Sequence, residues 1–355
     1  MCMWYTNAMN TRHHASGCLF GLALGDALGA DTEFLSVEAI KQRWGPQGPP
    51  EPLGDPARVT DDTQMALAVG EALAETVPPY TARTVEAPLR RAFVAWMVSP
   101  DNTRAPGMTC MQACGNLLRG APWHEATVAG SKGCGANMRV APVGLLPGVG
   151  PDGRAALAQF QAALTHGHPT GLAASDLTAY AVADLAADGP PATLPARLRD
   201  YARSQRLVYH DDWLGPLWQR PGARSAADFI ARGWDECLEV LDRLDAALSA
   251  GDREADPCAA TGGGWVAEEA LATGLLCFLL FPDDPVAAVR RAAVTSGDSD
   301  SIASLAGAFA GARHGLAAWP RDWVRRIEYR DRIAALGDGW DSCRSDVSVR
   351  DGLTP

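Results

Sequence analysis

Two short acidic clusters lie far apart in this sequence, Thr60-Asp61-Asp62-Thr63 and Asp298-Ser299-Asp300-Ser301. Each supplies hard oxygen ligands at close spacing and precedes a stretch rich in Ala, Leu and Gly, which predicts a buried helix. Because an unpaired carboxylate is very costly to bury, buried carboxylates pair with cations or coordinate metals. If the two clusters meet in the fold, they form an oxygen-only site suited to Mg²⁺ or Mn²⁺, and we expect it to be binuclear.

Either cluster alone has a simpler interpretation, since Asp, Ser and Thr are common N-caps of helices. A cap needs one carboxylate, whereas Asp61 and Asp62 are adjacent and Asp298 and Asp300 are separated by one residue. Both clusters also lie in apolar, glycine-containing surroundings rather than on a charged surface. These two features favour metal coordination over capping.

The elements that must position the clusters are predicted to be helices. Ala and Leu dominate the long segments and β-branched runs are rare, which indicates an all-α protein. Glycines recur every four residues before the first cluster, at Gly17, Gly21, Gly25 and Gly29, as on a helix face that packs closely against another helix. The pattern predicts helices over 16–28, 62–75, 85–98, 109–118, 155–165, 172–187, 196–207, 225–249, 266–281, 285–295, 301–314 and 319–336.

Composition limits the partners and the compartment. The net charge of −11 argues against nonspecific binding to nucleic-acid phosphates. Nine scattered cysteines without a C-x-x-C pair argue against zinc and against a disulfide framework, and they fit the reducing cytoplasm. The most apolar stretch, 271–281, is too short to span a bilayer, and no signal sequence is recognised. We expect a cytoplasmic protein with no membrane or nucleic-acid partner, and a monomer is favoured.

No linker forces a division of the 355 residues into two domains. We expect one domain over residues 15–336, between flexible tails at 1–14 and 337–355.

An ordered set of motifs resembles the ADP-ribosylglycohydrolase family, the ADP-ribosylhydrolases of the dinitrogenase-reductase-activating type. In chain order they are GLALGDALG at 21–29, EF at 33–34, TDDTQM at 60–65, GCGANMRVAP at 133–142, TH at 165–166, GGGWVAE at 262–268 and GDSDSIA at 297–303. Each motif alone is weak, but the ordered set is specific and the resemblance covers residues 16–336.

The resemblance implies an orthogonal all-α multi-helix bundle around two divalent cations, Mg²⁺ or Mn²⁺. The ligands that it implies are Thr60, Asp61, Asp62, Asp298, Asp300 and Ser301. Family members usually have Thr at the position of Ser301, which keeps the hydroxyl. For catalysis, Asp61 and Asp62 are implied to orient a water, and Glu33 is the second candidate acid/base. The alternative for Glu33 is an ordinary solvated loop acid.

For the substrate, the resemblance implies that the diphosphate of ADP-ribose lies on a nest of backbone amides. The residues of this nest are Ser131, Lys132, Gly133, Cys134 and Gly135, and the family commonly has Asn where this chain has Cys134. His166 is implied to contact the diphosphate, and Trp265 to form a wall beside the distal ribose. Arg139 is expected to brace the loop rather than bind phosphate.

The activity that the resemblance implies is a metal-dependent hydrolase. It would cleave the ribosyl glycosidic bond of an ADP-ribosylated acceptor, foremost ADP-ribosyl-arginine in a protein, and release ADP-ribose. Serine, O-acetyl-ADP-ribose and nucleic-acid conjugates are alternative substrates. A non-catalytic ADP-ribose-binding or crystallin-like structural protein is the alternative class. Immunity against an ADP-ribosylating toxin is a third interpretation.

Overall fold

A computed structural model describes residues 12–220 and 222–351, with side chains up to residue 343. Over these residues it contains eighteen α-helices and no β-strand, which confirms the prediction of an all-α fold. The helices are α1 His14–Gly29, α2 Val37–Trp44, α3 Asp61–Glu75, α4 Ala82–Met97, α5 Met108–Leu118, α6 Trp123–Ala126, α7 Ala141–Leu145, α8 Pro151–Ala163, α9 Pro169–Ala186, α10 Leu194–Gln205, α11 Asp211–Leu214, α12 Ala226–Ala250, α13 Pro257–Thr261, α14 Ala267–Leu280, α15 Pro285–Ala292, α16 Ser299–His314, α17 Arg321–Arg326 and α18 Arg330–Asp351. Short 3₁₀ turns lie at Cys134–Ala136, Pro191–Thr193, Gly215–Gln219 and Leu316–Ala318.

The centre of the fold is the close packing of α1 against α16. Glycines of α1 face backbone of α16, so that a Cβ added at Gly25 would lie 2.0 Å from the carbonyl oxygen of Ala303. The same holds at Gly21, where an added Cβ would lie 2.2 Å from the carbonyl oxygen of Gly307. The glycine face predicted from the four-residue spacing therefore brings two helix backbones together, and α16 begins at the second acidic cluster.

The end of the last helix differs from the prediction. The sequence pattern ended it at residue 336 and assigned a loose tail from 337, whereas α18 continues to Asp351. Its residue Trp340 is buried, and the Asp341 carboxylate accepts hydrogen bonds from the amides of Ala15 and Ser16, at 2.8 and 3.0 Å. The loose-tail prediction is therefore wrong for 337–343, because contacts with the first turn of α1 hold this segment.

At the other end of the chain, the predicted tail over 1–14 falls mainly outside the described residues, and α1 begins at His14.

Within the described residues, no helix has the length and apolar character needed to cross a membrane.

Candidate acidic active site

A buried carboxylate from α1 fixes the start of α3. Asp26 is fully buried and accepts hydrogen bonds from the amide and hydroxyl of Thr60, at 3.0 and 2.8 Å, and from those of Thr63, at 3.0 and 2.5 Å. The hydroxyl of Thr60 in turn accepts from the amide of Asp62, as an N-cap does. Asp26 therefore orients the first acidic cluster through the two threonines that flank it.

The fold brings the two acidic clusters and Glu33 into one cavity. The carboxylate oxygens of Glu33, Asp298 and Asp300 lie within 4.8 Å of one another. Asp61 and Asp62, from the first turn of α3, line the same cavity, which has a volume of about 230 Å³. We name it the acidic cavity. Its other lining residues are Ala105, Gly107, Met108, Thr109, Cys110, Gly133, Cys134, Gly135, Met138, His166, Trp265 and Ser301.

The electrostatics of the acidic cavity are dominated by burial and by repulsion between like charges. Burial, and next the charge of Asp300, raises the pKa of Asp61 to about 7 and that of Glu33 to about 8. The same two causes hold the pKa values of Asp62 and Asp298 well above their ordinary range. Such a cluster favours protons or cations strongly.

The residues of the cavity fit a hard divalent cation. Asp62 Oδ1 is buried and accepts no hydrogen bond from the described residues, although a buried carboxylate oxygen normally has a donor. The carboxylates supply oxygen ligands, as Mg²⁺ and Mn²⁺ prefer. Asp298 precedes α16 but its side chain makes no capping hydrogen bond, so the capping interpretation does not account for it.

The two expected hydroxyl ligands, Thr60 and Ser301, line different cavities. Ser301 lines the acidic cavity, and its hydroxyl lies 3.9 Å from Met138 Sδ. The hydroxyl of Thr60 donates to Asp26, and Thr60 lines a neighbouring cavity instead. Because the Thr60 hydroxyl also accepts from the Asp62 amide, its oxygen keeps one lone pair that could bind a cation.

The Gly-rich loop is less open than a nest of five free amides. The amide of Ser131 donates to the Val128 carbonyl at 3.0 Å, and the amide of Cys134 donates to the Trp265 carbonyl at 3.1 Å. Gly133, Cys134 and Gly135 line the acidic cavity. The loop thus presents a smaller set of donors than the sequence predicted, because a local turn uses the amide of Ser131 and the segment before α14 uses that of Cys134.

Lys132 was expected near the diphosphate of ADP-ribose, but its ammonium group pairs with two carboxylates. Its ammonium forms ion pairs with Glu236, at 2.8 Å, and with Glu268, and it does not line the acidic cavity. Lys132 therefore ties the loop to α12 and α14, and its charge is already neutralised by two carboxylates.

A chain of hydrogen bonds sets the protonation of His166. Arg139 is fully buried and donates through Nη2 to Thr165 Oγ1 at 2.8 Å, and Thr165 Oγ1 lies 2.8 Å from His166 Nδ1. When the Thr165 hydroxyl, which accepts from Arg139, turns its own proton towards Nδ1, the imidazole carries its proton on Nε2. Burial, and next the charge of Arg139, lowers the pKa of His166 to about 3. His166 therefore lines the acidic cavity as a neutral imidazole, and Arg139 acts as a brace.

An exposed aromatic pair lies beside the acidic cavity, which Trp265 lines. Phe34 and Trp265 stack with centroids 5.8 Å apart and planes at 21°. Phe34 is 70% exposed, and its backbone has φ 64°, in the left-handed region that costs a non-glycine residue roughly 1–3 kcal/mol. Ala105, which lines the acidic cavity, has φ 47°. Sequence reasoning missed Ala105 and its neighbours Gly107 and Met108, because that loop carries no recognisable motif.

Comparisons with known proteins agree over almost the whole chain. The model of a family described as ADP-ribosylglycohydrolase matches residues 7–348. The chain is 26% identical over 326 residues to the ADP-ribosyl-[dinitrogen reductase] glycohydrolase of Rhodospirillum rubrum, covering 89% of this chain and 90% of that protein. It is 27% identical over 341 residues to the ADP-ribosylhydrolase ARH3 of Homo sapiens, covering 88% of each. A solved structure titled "ADP-ribosylglycohydrolase-related protein complex" matches with TM-score 0.65 and 25% identity, over 94% of this chain and 98% of that one.

Proposed function

As a member of the ADP-ribosylglycohydrolase family, this chain is a hydrolase of ADP-ribosyl bonds, and we propose that its substrate is a protein carrying ADP-ribose on arginine. Names among its relatives support this acceptor: the Serratia proteamaculans protein, 26% identical over 334 residues, is an ADP-ribosylarginine hydrolase. The aligned region covers 91% of this chain and 78% of the Serratia protein.

The observation that carries the proposal is the buried set of carboxylates contributed by distant parts of the chain. We propose that Asp61, Asp62, Asp298 and Asp300, with the hydroxyls of Thr60 and Ser301, hold two Mg²⁺ or Mn²⁺ ions. Bound there, such ions supply Lewis-acid polarisation and a fixed position for the hydroxyls of the ribose. A structural protein would gain no stability from burying these like charges together.

The other residues bind and orient the substrate. The neutral His166 donates from Nε2 to a phosphate oxygen, and the Gly135 segment lets the diphosphate approach the backbone closely. Asp61 and Asp62 orient the attacking water towards the anomeric carbon. Glu33 is half-buried and lines the acidic cavity, and its carboxyl group passes a proton to the leaving nitrogen.

The test is turnover of ADP-ribosyl-arginine peptide with Mg²⁺ or Mn²⁺, beside serine-linked and O-acetyl conjugates. We expect release of ADP-ribose from the arginine conjugate, and its loss on chelation and in Asp300→Asn. Glu38→Gln is the matched control, because Glu38 is an exposed carboxylate of α2 outside the acidic cavity. Metal-independent turnover, or full turnover in Asp300→Asn, would contradict the proposal. Preference for another conjugate would contradict the arginine acceptor alone.

A further inference from the structure

A second cavity lies on the other side of Glu33. It has a volume of about 480 Å³ and shares only Glu33 and Ala105 with the acidic cavity. We name it the Asp31 cavity. Its lining residues are Ala27, Ala30, Asp31, Glu33, Phe34, Leu53, Gly54, Pro56, Arg58, Val59, Thr60, Arg104 and Ala105.

The position of the Asp31 cavity matches the geometry of a two-part substrate. A glycosidic conjugate has a sugar on one side of the scissile bond and an acceptor on the other, and the group that manages the proton lies between them. Glu33 lines both cavities. The Asp31 cavity contains none of Gly133, Gly135 and His166, which line the acidic cavity. The acceptor is therefore the part of the substrate that remains for the Asp31 cavity.

The boundary between the cavities is built from unusual backbone. Phe34 and Ala105 are two of the five non-glycine residues with positive φ among the described residues, and both line the Asp31 cavity. At Phe34 this conformation accompanies a ring that is largely exposed and stacks on Trp265. The fold thus maintains an open aromatic face beside Glu33, available to a planar group.

Among the charged residues that line the Asp31 cavity, Asp31 favours binding of a cation. The half-buried Asp31 carboxylate accepts no hydrogen bond and forms no ion pair within the described residues. Burial raises its pKa, and the charge of Arg43, whose guanidinium stacks on the Trp44 ring, opposes that rise without forming an ion pair. Arg104 is already neutralised, since its Nη2 donates to Glu328 Oε1 at 2.9 Å and its Nη1 donates to Glu328 Oε2. Arg58 is exposed and opposes a cationic ligand. A guanidinium can pair with a carboxylate through two hydrogen bonds and stack on an aromatic ring at the same time.

We propose that the Asp31 cavity receives the modified arginine side chain, with the guanidinium held between the Asp31 carboxylate and the Phe34 ring. This proposal rests on the proposed function, for which it names the acceptor subsite. Asp31 is then a specificity residue that contacts the acceptor, whereas ADP-ribose itself makes no contact with it. Arg58 lines the same cavity with the opposite charge, so its removal should have the opposite effect.

The experiment compares Asp31→Asn, Arg58→Gln and the control Glu38→Gln. We expect Asp31→Asn to raise the KM for ADP-ribosyl-arginine peptide about tenfold, which corresponds to ~1.4 kcal/mol. Arg58→Gln should lower that KM, and Glu38→Gln should leave it unchanged. The Kd for ADP-ribose with Mg²⁺, measured by calorimetry, should stay within about twofold in all three variants. Such a change corresponds to well under about 1 kcal/mol of binding free energy.

The outcomes separate the two proposals. Wild-type KM in Asp31→Asn, with normal turnover of the arginine conjugate, overturns the acceptor subsite and leaves the proposed function standing. Weaker binding of ADP-ribose itself in Arg58→Gln also overturns the subsite, because the Asp31 cavity then holds part of the nucleotide. Failure of the wild-type protein to cleave the arginine conjugate overturns the arginine acceptor and its subsite together.

Discussion

Replacing Gly25 by alanine tests whether the contact between α1 and α16 positions the second acidic cluster. The added Cβ would lie 2.0 Å from the Ala303 carbonyl oxygen, and real Cβ contacts essentially never fall below 3.0 Å. Because both partners are helix backbone, neither can rotate away, and α1 and α16 must separate by roughly 1 Å. That movement displaces the helix whose first turn carries Asp300.

The expected magnitude follows from two opposing terms. Overpacking a core costs about 1–3 kcal/mol, and the upper value applies here because rigid backbone bears the clash. Alanine in a helix interior gains about 1 kcal/mol over glycine. We therefore expect Gly25→Ala to lower the free energy of unfolding by roughly 2 kcal/mol.

A glycine with room around it supplies the control. Gly115 lies in α5, where an added Cβ would meet Arg119 Nη1 at 3.5 Å and Met97 Sδ at 4.0 Å, both ends of flexible side chains. Gly115→Ala should raise the free energy of unfolding, by up to about 1 kcal/mol. Urea denaturation followed by far-UV circular dichroism measures both variants, with and without Mg²⁺. A Gly25→Ala protein as stable as the wild type, with an unchanged Mg²⁺ response, would refute the reasoning.

The remaining predictions concern the site itself. Asp300→Asn should raise the melting temperature in EDTA, since it removes one of several repelling buried charges, and it should abolish stabilisation by Mg²⁺; a retained Mg²⁺ shift would contradict this. Thr165→Val removes the hydroxyl between Arg139 and His166, so ADP-ribose affinity should fall about fivefold, for a hydrogen bond worth about 1 kcal/mol; unchanged affinity in a calorimetric titration would show that the hydroxyl does not set the histidine. Cys134→Asn should change ADP-ribose affinity without changing metal content measured by elemental analysis, and loss of metal would mean that the loop is misplaced.

The helices and the acidic clusters were predictable because their signals are local. Helix α3 was expected over 62–75 and occupies Asp61–Glu75, and α14 was expected over 266–281 and occupies Ala267–Leu280. The glycine spacing of α1 also identified a packing face before its partner was known. Each of these features depends on neighbours within a few turns of the same helix.

The hydrogen-bond and ion-pair partners of individual residues could not be predicted from the sequence. Lys132 was a candidate phosphate ligand, but Glu236 and Glu268 reach it from helices more than a hundred residues away. The amide of Cys134 was a candidate donor, but the Trp265 carbonyl takes it. The helical course of α18 beyond residue 336 likewise depends on Asp341 meeting the first turn of α1. Such contacts arise only from the tertiary fold.

The pairing of α1 with α16 also has a consequence for synthesis of the protein on the ribosome. The carbonyl of Gly29 accepts from the hydroxyl of Ser299, 270 residues later in the chain. At about 5–20 residues per second, the later helix follows the earlier one by roughly 15–50 s. During that interval the growing chain carries an apolar helix without its partner, and the carboxylates at 61–62 lack the residues that complete their site. The proposed cation site can therefore be complete only after translation is nearly finished.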